Sequence, residues 1–426
     1  MNSFMIFTLL IGLMLTGMPV SIALGLTVLT FLFVMTQVPI EAVALKLFTG
    51  IESFEIMAVP FFILAGNFLT HGGVAHRMIR FATAMVGHWH GGLGLGGVVA
   101  CALFAAVSGS SPATVVAIGA ILLPAMVKQG FPRSFGAGVI TTSGALGILI
   151  PPSIVMVMYS VSTNTSVGAL FMAGVVPGLL LAAFLGFTTW YRARKFGYPR
   201  QPKANWGERL RAFKESAWGL FLIVVVMGGI YTGIFTPTEA AAMSAVYAFF
   251  VAVFVYKDLG MKDVPKVLLN SANMSAMLLY IITNAVLFSF LLTHENIPQE
   301  MADFMIGTGV GVIGFLIMAN ILMLIAGNFM EPSSIVLILA PILFPIAVQL
   351  GIDPVHFGII IVLNQVIGAL TPPLGVLVFT TARVGGADQG ATFKAVLPFT
   401  FVLIGVLLLI SYIPALSLLP VQWFGP

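Results

Sequence analysis

Charged side chains are scarce in this sequence, and that scarcity bounds the class of protein. Asp, Glu, Lys and Arg make up 8% of the 426 residues, about a third of the share found in soluble domains. The hydrophobic share of 59% and the mean hydropathy of +1.10 indicate an all-α polytopic membrane protein. The alternating strands that a transmembrane barrel requires are not visible in the sequence.

Cysteine and the common catalytic motifs are also nearly absent. The single cysteine, Cys101, excludes an internal disulfide and predicts a small buried residue. The sequence has no P-loop or metalloprotease pattern. No nucleophile–base pair or metal-ligand set is expected at membrane depth. These absences argue against an ATP-driven pump and predict that the chain is not an enzyme.

The sequence is organised around a polar break, Ser108-Gly-Ser-Ser-Pro-Ala-Thr114, between the apolar segments 93–107 and 113–127. As a helix, each segment would be about 22 Å long, which is short of the hydrocarbon core of about 30 Å. A break in lipid leaves backbone groups unpaired unless it is buried in protein or faces water. We therefore expect a re-entrant helical hairpin over about 93–127, with its tip near mid-membrane.

The second half of the chain repeats this pattern at an offset of about 221 residues. The order of segment types recurs, and several Gly and Pro positions fall in register. The matches are Pro124 with Pro345, Gly130 with Gly351, Gly147 with Gly368, Pro151-Pro152 with Pro372-Pro373, and Pro177 with Pro398; Leu69-Thr-His71 also echoes Leu292-Thr-His294.

These matches divide the chain into two repeats, 1–191 and 215–426, joined by the polar linker 192–214. The second repeat contains its own hairpin, predicted at about 309–350. Each repeat also contains an apolar helix that Gly and Pro interrupt, at 134–160 and 354–381. The remaining predictions include amphipathic segments at 74–89, 263–271 and 298–306, and a span at 275–293 that is separate from the segment before it.

The distribution of basic residues predicts the orientation. Eight of the 18 Lys and Arg residues lie in the linker, which the positive-inside rule places in the cytoplasm. With five crossings per repeat, both termini are periplasmic and Lys46 is the only basic residue outside. An odd number of crossings makes the repeats inverted. Inverted repeats with broken helices are typical of secondary transporters rather than of channels with a ring-like filter.

The hairpin tips and helix breaks predict ion sites. Carbonyl and hydroxyl oxygens are hard ligands that suit Na⁺, whereas proton coupling would need a chain of intramembrane carboxylates that the sequence lacks. We expect one site at each tip, and therefore two or more Na⁺. The predicted sodium ligands are Ser108, Gly109, Ser111, Thr142, Gly144 and Pro151 in the first repeat and Gly327, Asn328, Met330, Asn364, Thr371 and Pro372 in the second.

A carboxylate substrate is predicted between the two tips, where the positive ends of half-helices suit an anion. Its expected contacts are Ser110, Ser111, Asn328 and Ser333. The alternative is that these polar residues only cap helices and satisfy backbone groups.

Two acidic residues near membrane depth also have alternative roles. Glu239 is expected to cap a helix together with Thr236 or Thr238, and the alternative is a proton relay. An ionised Glu331, at the second tip, must reach a cation, a helix N-terminus or an aqueous cavity.

Several motifs, read in order along nearly the whole chain, resemble the large membrane subunit of tripartite ATP-independent periplasmic (TRAP) transporters, especially its C4-dicarboxylate branch. The motifs are Pro60-Phe-Phe-Ile-Leu-Ala-Gly-Asn67, Ser108-Gly-Ser-Ser-Pro-Ala-Thr114, Gly147-Ile-Leu-Ile-Pro-Pro-Ser153, Ser166-Val-Gly-Ala-Leu-Phe-Met-Ala-Gly174, Pro237-Thr-Glu-Ala-Ala241 and Thr371-Pro-Pro-Leu-Gly375.

This resemblance implies sodium-driven import of organic acids across the bacterial inner membrane. It also implies an elevator mechanism, in which a transport domain of both hairpins and both broken helices moves against a scaffold. The implied partners are a small four-helix membrane subunit and a periplasmic substrate-binding protein. The alternatives are a TRAP importer of sialic acid or another carboxylate and, in a different class, a passive anion channel.

Overall fold

The structure is a computed structural model that describes residues 2–36, 38–307, 309–373 and 375–424. Within these ranges the chain is helical apart from short connections, which confirms the all-α prediction. The α-helices are α1 (Asn2–Leu15), α2 (Val20–Met35), α3 (Ile40–Thr49), α4 (Ala58–His71), α5 (Val74–Val86), α6 (Gly92–Ser108), α7 (Ser111–Lys128), α8 (Arg133–Gly144), α9 (Ile154–Thr163), α10 (Val167–Lys195), α11 (Trp206–Tyr231), α12 (Pro237–Phe250), α13 (Val264–His294), α14 (Ile297–Gly307), α15 (Val312–Gly327), α16 (Pro332–Gln349), α17 (Pro354–Gly368), α18 (Val376–Gly385), α19 (Gln389–Tyr412) and α20 (Ala415–Phe424).

The described residues include eight helical segments that are long and apolar enough to cross a membrane. Their number agrees with a polytopic membrane protein. Two of the eight, α7 and α16, are second arms of the predicted hairpins, so helix length alone does not separate a re-entrant arm from a full crossing. The eight segments are Phe54–His71, Ser111–Lys128, Val167–Lys195, Trp206–Tyr231, Pro237–Val255, Val264–His294, Pro332–Gln349 and Gln389–Tyr412.

The first hairpin consists of α6 and α7, and the chain turns between them at Gly109 and Ser110. Gly109 has φ +60°, a left-handed conformation that favours glycine. The arms contain 17 and 18 residues, two or three more than the sequence suggested. They pack closely, because a Cβ at Gly97 of α6 would lie 2.7 Å from Leu122 of α7.

The second hairpin consists of α15 and α16, with residues 328–331 between them. Glu331 is the N-cap residue of α16, and Pro332 begins the helix, where its missing N–H needs no partner. The predicted hairpin bounds, 309–350, exceed the helices by three residues before α15 and by one residue after α16.

Two helices are interrupted where the sequence places Gly and Pro. The first consists of α8, a 3₁₀ turn at Ala145–Ile148, an irregular stretch and α9. The second consists of α17 and α18, separated by residues that include Thr371. Proline lacks the N–H that a helix interior needs, so the paired prolines interrupt the helical hydrogen bonding in both places.

The separation of 263–271 from 275–293 is wrong, because α13 runs unbroken for 31 residues. Asn270, Ser271 and Asn273 lie inside it, and the Ser271 hydroxyl donates to the Val267 carbonyl at 2.8 Å. Asn and Ser cost a helix only a few tenths of a kcal/mol each, roughly, so polar residues without Gly or Pro did not break it. A polar stretch marked a change of environment rather than a helix end.

The polar linker is shorter than predicted, because α10 extends to Lys195 and α11 begins at Trp206. Most of its basic residues therefore lie in the last turn of one helix and the first turns of the next. The short helices α3 and α20 were not expected.

Glu239 caps α12, as one of its two predicted roles requires. Its amide donates to the Thr236 hydroxyl at 3.2 Å, and its carboxylate accepts from the Thr236 amide at 2.8 Å. These reciprocal bonds form a capping box.

Candidate substrate and ion site

The tips of both hairpins face one cavity of about 680 Å³, which we call the tip cavity. Ser110 and Ser111 line it from the first hairpin, and Glu331 and Ser333 line it from the second. Three of the four predicted substrate contacts therefore lie on its wall. The fourth, Asn328, is not among the lining residues.

The tip of the first hairpin is held by the break between α8 and α9. Ser111 donates from its hydroxyl to the Ala145 carbonyl at 3.0 Å, and the Ile154 amide donates to the Gly109 carbonyl at 3.4 Å. Gly147 contacts the tip backbone so closely that a Cβ would lie 2.6 Å from the Ser110 oxygen. The break and the tip therefore form one polar unit.

Ser108 lies inside this unit rather than on the cavity wall. Its hydroxyl and that of Thr114 are 2.9 Å apart, and Thr114 donates to the Ser110 carbonyl at 2.9 Å. Both side chains are buried.

The other ion ligands predicted in the first repeat contact different partners. The Thr142 hydroxyl donates to the Gly138 carbonyl of its own helix at 2.8 Å. Gly144 packs beneath Val115 of α7, and Pro151 is buried beside Gly174. None of these contacts is with the tip serines Ser108, Ser110 and Ser111. The three residues therefore lie around the break without being joined to the tip by these contacts.

The tip of the second hairpin is held by the second break in a related way. The Thr371 hydroxyl donates to the amide oxygen of Asn328. Beside it, Gly327 of α15 meets Gly368 of α17 backbone to backbone. Asn328 thus binds the break rather than lining the cavity.

The remaining ligands predicted at the second tip differ in exposure. Met330 is half-buried against the core, and Pro372 is exposed. Pro151, the counterpart of Pro372 at the first break, is buried, so the second break is the more exposed of the two at this position.

Asn364 is fully buried in α17, just before the second break. Its amide nitrogen donates to the Asn320 side chain at 2.7 Å and to the Ile360 carbonyl at 2.8 Å. Its amide oxygen has no hydrogen-bond partner among the described residues. A buried oxygen without a donor is costly in an apolar interior, and it is a suitable ligand for a cation.

Two more buried polar groups are of this kind: Ser143, which lies between the predicted ligands Thr142 and Gly144, and Gln365, which sequence reasoning missed. The Ser143 hydroxyl and both polar atoms of the Gln365 side chain lack partners within the described part of the chain. Ser143 stands about 221 residues before Asn364, so the repeat offset would have pointed to it.

Sequence reasoning also missed the wall opposite the tips. It is formed by α4, through Asn67, Thr70 and His71, and by α13, through Met274 and Met277. The Asn67 amide donates to Ser271 of α13 at 2.8 Å and so ties these two helices together. In the sequence, the recurrence of Leu69-Thr-His71 at Leu292-Thr-His294 was the pattern that could have pointed to these two helices.

The electrostatics of the tip cavity combine two helix N-termini with one carboxylate. No side chain caps α7, whose first turn faces the cavity at Ser111. Glu331 accepts from the Ser333 hydroxyl at 2.7 Å and lies at the N-terminus of α16. Glu331 therefore lies at a helix N-terminus and on the cavity wall, which are two of the three alternative surroundings expected for an ionised carboxylate here.

The donor set at the tips consists of carbonyl, hydroxyl and amide oxygens together with the Glu331 carboxylate. Among the described residues, no three His, Cys, Asp or Glu side chains form a group that could hold a metal. Oxygen-only surroundings fit a hard monovalent cation such as Na⁺ and not a transition metal.

Comparison with known proteins agrees with this geometry. A family model described as "Tripartite ATP-independent periplasmic transporter, DctM component" matches residues 7–416. The C4-dicarboxylate TRAP transporter large permease protein DctM of Rhodobacter capsulatus is 70% identical, covering 98% of each chain. The isethionate TRAP transporter permease protein DctMQ of Oleidesulfovibrio alaskensis is 42% identical over 94% of this chain, which spans 64% of that relative.

Among solved structures, the YdaH transporter of Alcanivorax borkumensis aligns with a TM-score of 0.60 over 88% of this chain and 89% of that one. At 17% identity, that likeness shows a shared fold alone. The family match and the relatives show more: the chain belongs to the DctM component family of tripartite ATP-independent periplasmic transporters, and is a multi-span membrane transport protein rather than an enzyme.

Proposed function

We propose that this chain is the large permease subunit of a sodium-coupled importer of C4-dicarboxylates. The observation that carries the proposal is that both hairpin tips face one cavity. A site shared by two broken elements is the arrangement expected of a secondary transporter. The name of the Rhodobacter relative supports the substrate class.

The substrate would bind in the tip cavity. The first turn of α7 has no side-chain cap, so its amides and the hydroxyl of Ser110 are suited to a carboxylate, whereas the Ser111 hydroxyl donates to the Ala145 carbonyl. Ser333 and the α16 N-terminus supply polar groups on the opposite side. A cavity of about 680 Å³ is large enough for a four-carbon dicarboxylate with its hydration water.

The coupling ions would bind behind the tips rather than in the open cavity. The buried, unpartnered oxygens of Ser143 and Asn364 support one site beside each break. Each pairs a hairpin tip with a broken helix, so occupancy of these oxygens would order the tip that contacts the substrate.

The movement would carry both hairpins and both broken helices, as an elevator, against a scaffold that includes α4 and α13. The amphipathic helices α5 and α14 are suited to act as supporting arms. We propose that the linker between α10 and α11 is cytoplasmic and that both termini are periplasmic, in a bacterial inner membrane.

The transporter would need two partners, a periplasmic binding protein that delivers the substrate and a small membrane subunit. The family description, a tripartite periplasmic transporter, supports partners beside the permease.

Uptake in proteoliposomes that contain the partner subunits tests the proposal. An inward sodium gradient should drive labelled succinate in against its own gradient, and a panel of sugar acids should compete weakly. Uptake that only follows the substrate gradient would instead indicate a passive anion channel.

A further inference from the structure

A second cavity, of about 290 Å³, lies at the far end of α13, and we call it the outer cavity. The tip cavity contacts this helix at Met277, whereas the outer cavity contacts it at Ser289. Twelve residues separate the two positions, which is about 18 Å along a helix. The two cavities therefore lie at different levels beside the same helix.

The walls of the two cavities correspond between the two halves of the chain. The tip cavity is lined by Ile63 and Thr70 of α4, and the outer cavity is lined by Val286 and Thr293 of α13. When the Leu-Thr-His sequences of the two halves are aligned, Ile63 matches Val286 and Thr70 matches Thr293. In the hairpins, Val116 of α7 and Leu337 of α16 match at the repeat offset. The outer cavity is thus the counterpart of the tip cavity.

The outer cavity has one charged side chain, Lys46 of α3. Its ammonium lies 5.6 Å from the centre of the Phe290 ring. It takes part in none of the ion pairs found within the described ranges. None of the described residues that line this cavity is acidic, so the charge that they contribute is positive.

Among the residues that the structure describes, four neutral polar side chains line the outer cavity, and two of them are already hydrogen-bonded. The hydroxyls of Ser162 and Thr293 donate to carbonyls of their own helices, each at 2.9 Å. Ser289 and Asn164 also line the cavity and make no such bond. An ammonium with a free hydroxyl and a free amide matches a carboxylate.

We propose that Lys46, with Ser289 and Asn164, forms an outer carboxylate subsite that a dicarboxylate occupies at the opposite end of its route from the tip cavity. This inference rests on the proposed function. Asn164 also lines a neighbouring cavity of about 690 Å³.

Thiol labelling tests the subsite. The single native cysteine, Cys101, is fully buried, so Ser289→Cys introduces the one accessible thiol among the described residues. Its reaction rate is measured with an anionic and a cationic methanethiosulfonate, with and without succinate. At Ser289→Cys we expect the anionic reagent to react about fivefold faster than the cationic one, and succinate at saturating concentration should slow the reaction about threefold. Met277→Cys, in the tip cavity, is the reference position for the Lys46 variants.

Lys46 variants in the Ser289→Cys background give the control. Lys46→Gln should abolish both the anionic preference and the succinate protection, and Lys46→Arg should keep them. Neither variant should change labelling at Met277→Cys. If Lys46→Gln fails to insert, the charge preference and the protection measured with native Lys46 still decide the question.

The failures of the two proposals are distinguishable. A protein that takes up succinate with sodium but shows no charge preference and no protection at Ser289→Cys overturns the subsite alone. A native protein without sodium-driven uptake overturns the proposed function, whatever the labelling shows.

Discussion

Gly327 of α15 and Gly368 of α17 meet so closely that a Cβ on either residue would lie 2.7 Å from the Cα of the other. The contact fixes the second hairpin tip against the second break, since Asn328 directly follows Gly327 and Thr371 is three residues after Gly368. Backbone lies on both sides, so no flexible side chain can move away to make room.

Substitution of either glycine by alanine should displace the second tip. We expect Gly327→Ala and Gly368→Ala each to lower stability by about 1–3 kcal/mol and to reduce sodium-driven uptake severely. Thermal unfolding in detergent and uptake in proteoliposomes measure the two effects. The matched control is Gly405→Ala in α19, where a Cβ meets nothing within 4 Å, and uptake there should be normal. Normal uptake by Gly368→Ala would contradict the account of this contact.

Ser111→Ala should weaken the first tip. The substitution removes the hydroxyl that donates to the Ala145 carbonyl at 3.0 Å, so a buried acceptor loses one of its donors. We expect the sodium concentration for half-maximal uptake to rise about tenfold, which corresponds to about 1.4 kcal/mol. Thr188→Ala, which removes an exposed hydroxyl bonded within α10, is the control. Unchanged sodium dependence in Ser111→Ala would exclude this residue from the first ion site.

Asn328 and Thr371 should act as one unit. A double-mutant cycle with Asn328→Ala and Thr371→Val measures this, because the hydroxyl of one donates to the amide of the other. We expect a coupling of about 1 kcal/mol in sodium dependence, so the double variant should be little worse than either single one. Membrane insertion, checked by yield and monodispersity, should be retained. Additive effects would show that the two side chains act independently.

Glu239 should stabilise the N-terminus of α12 and should not take part in proton transfer. Gln can replace Glu in a capping box, so Glu239→Gln should keep the melting temperature and the uptake, whereas Glu239→Ala should lower the melting temperature by a few degrees. Uptake measured across a pH series separates the two roles. Loss of uptake in Glu239→Gln would favour the proton relay.

Much of the fold follows from local chemistry. Paired prolines at 151–152 and 372–373 interrupt helices wherever they stand, and Thr236 and Glu239 cap a helix through bonds spanning three residues. The apolar composition requires helices in a membrane. These features need no knowledge of distant parts of the chain, so composition and spacing sufficed. The prediction that α13 is two segments failed because its polar residues were treated as helix breakers, a property that belongs to Gly and Pro.

The site was less accessible to the sequence. Its tips could be named from their polar breaks, but Asn328 turns to Thr371 instead of the cavity, and Thr142 bonds its own helix. Asn67, Thr70 and His71 were overlooked because a polar residue in an apolar helix does not reveal what it faces.

By itself, the sequence determined that the chain is a helical membrane protein with two hairpins, each broken at its tip. Backbone groups in lipid must be hydrogen-bonded, so runs of glycine, serine and proline between apolar segments can only stand at such breaks. Only the tertiary structure decided that both tips share one cavity and that α4 and α13 close it. Which side chains meet across a cavity depends on how distant helices pack, and residue spacing along one helix does not carry that information.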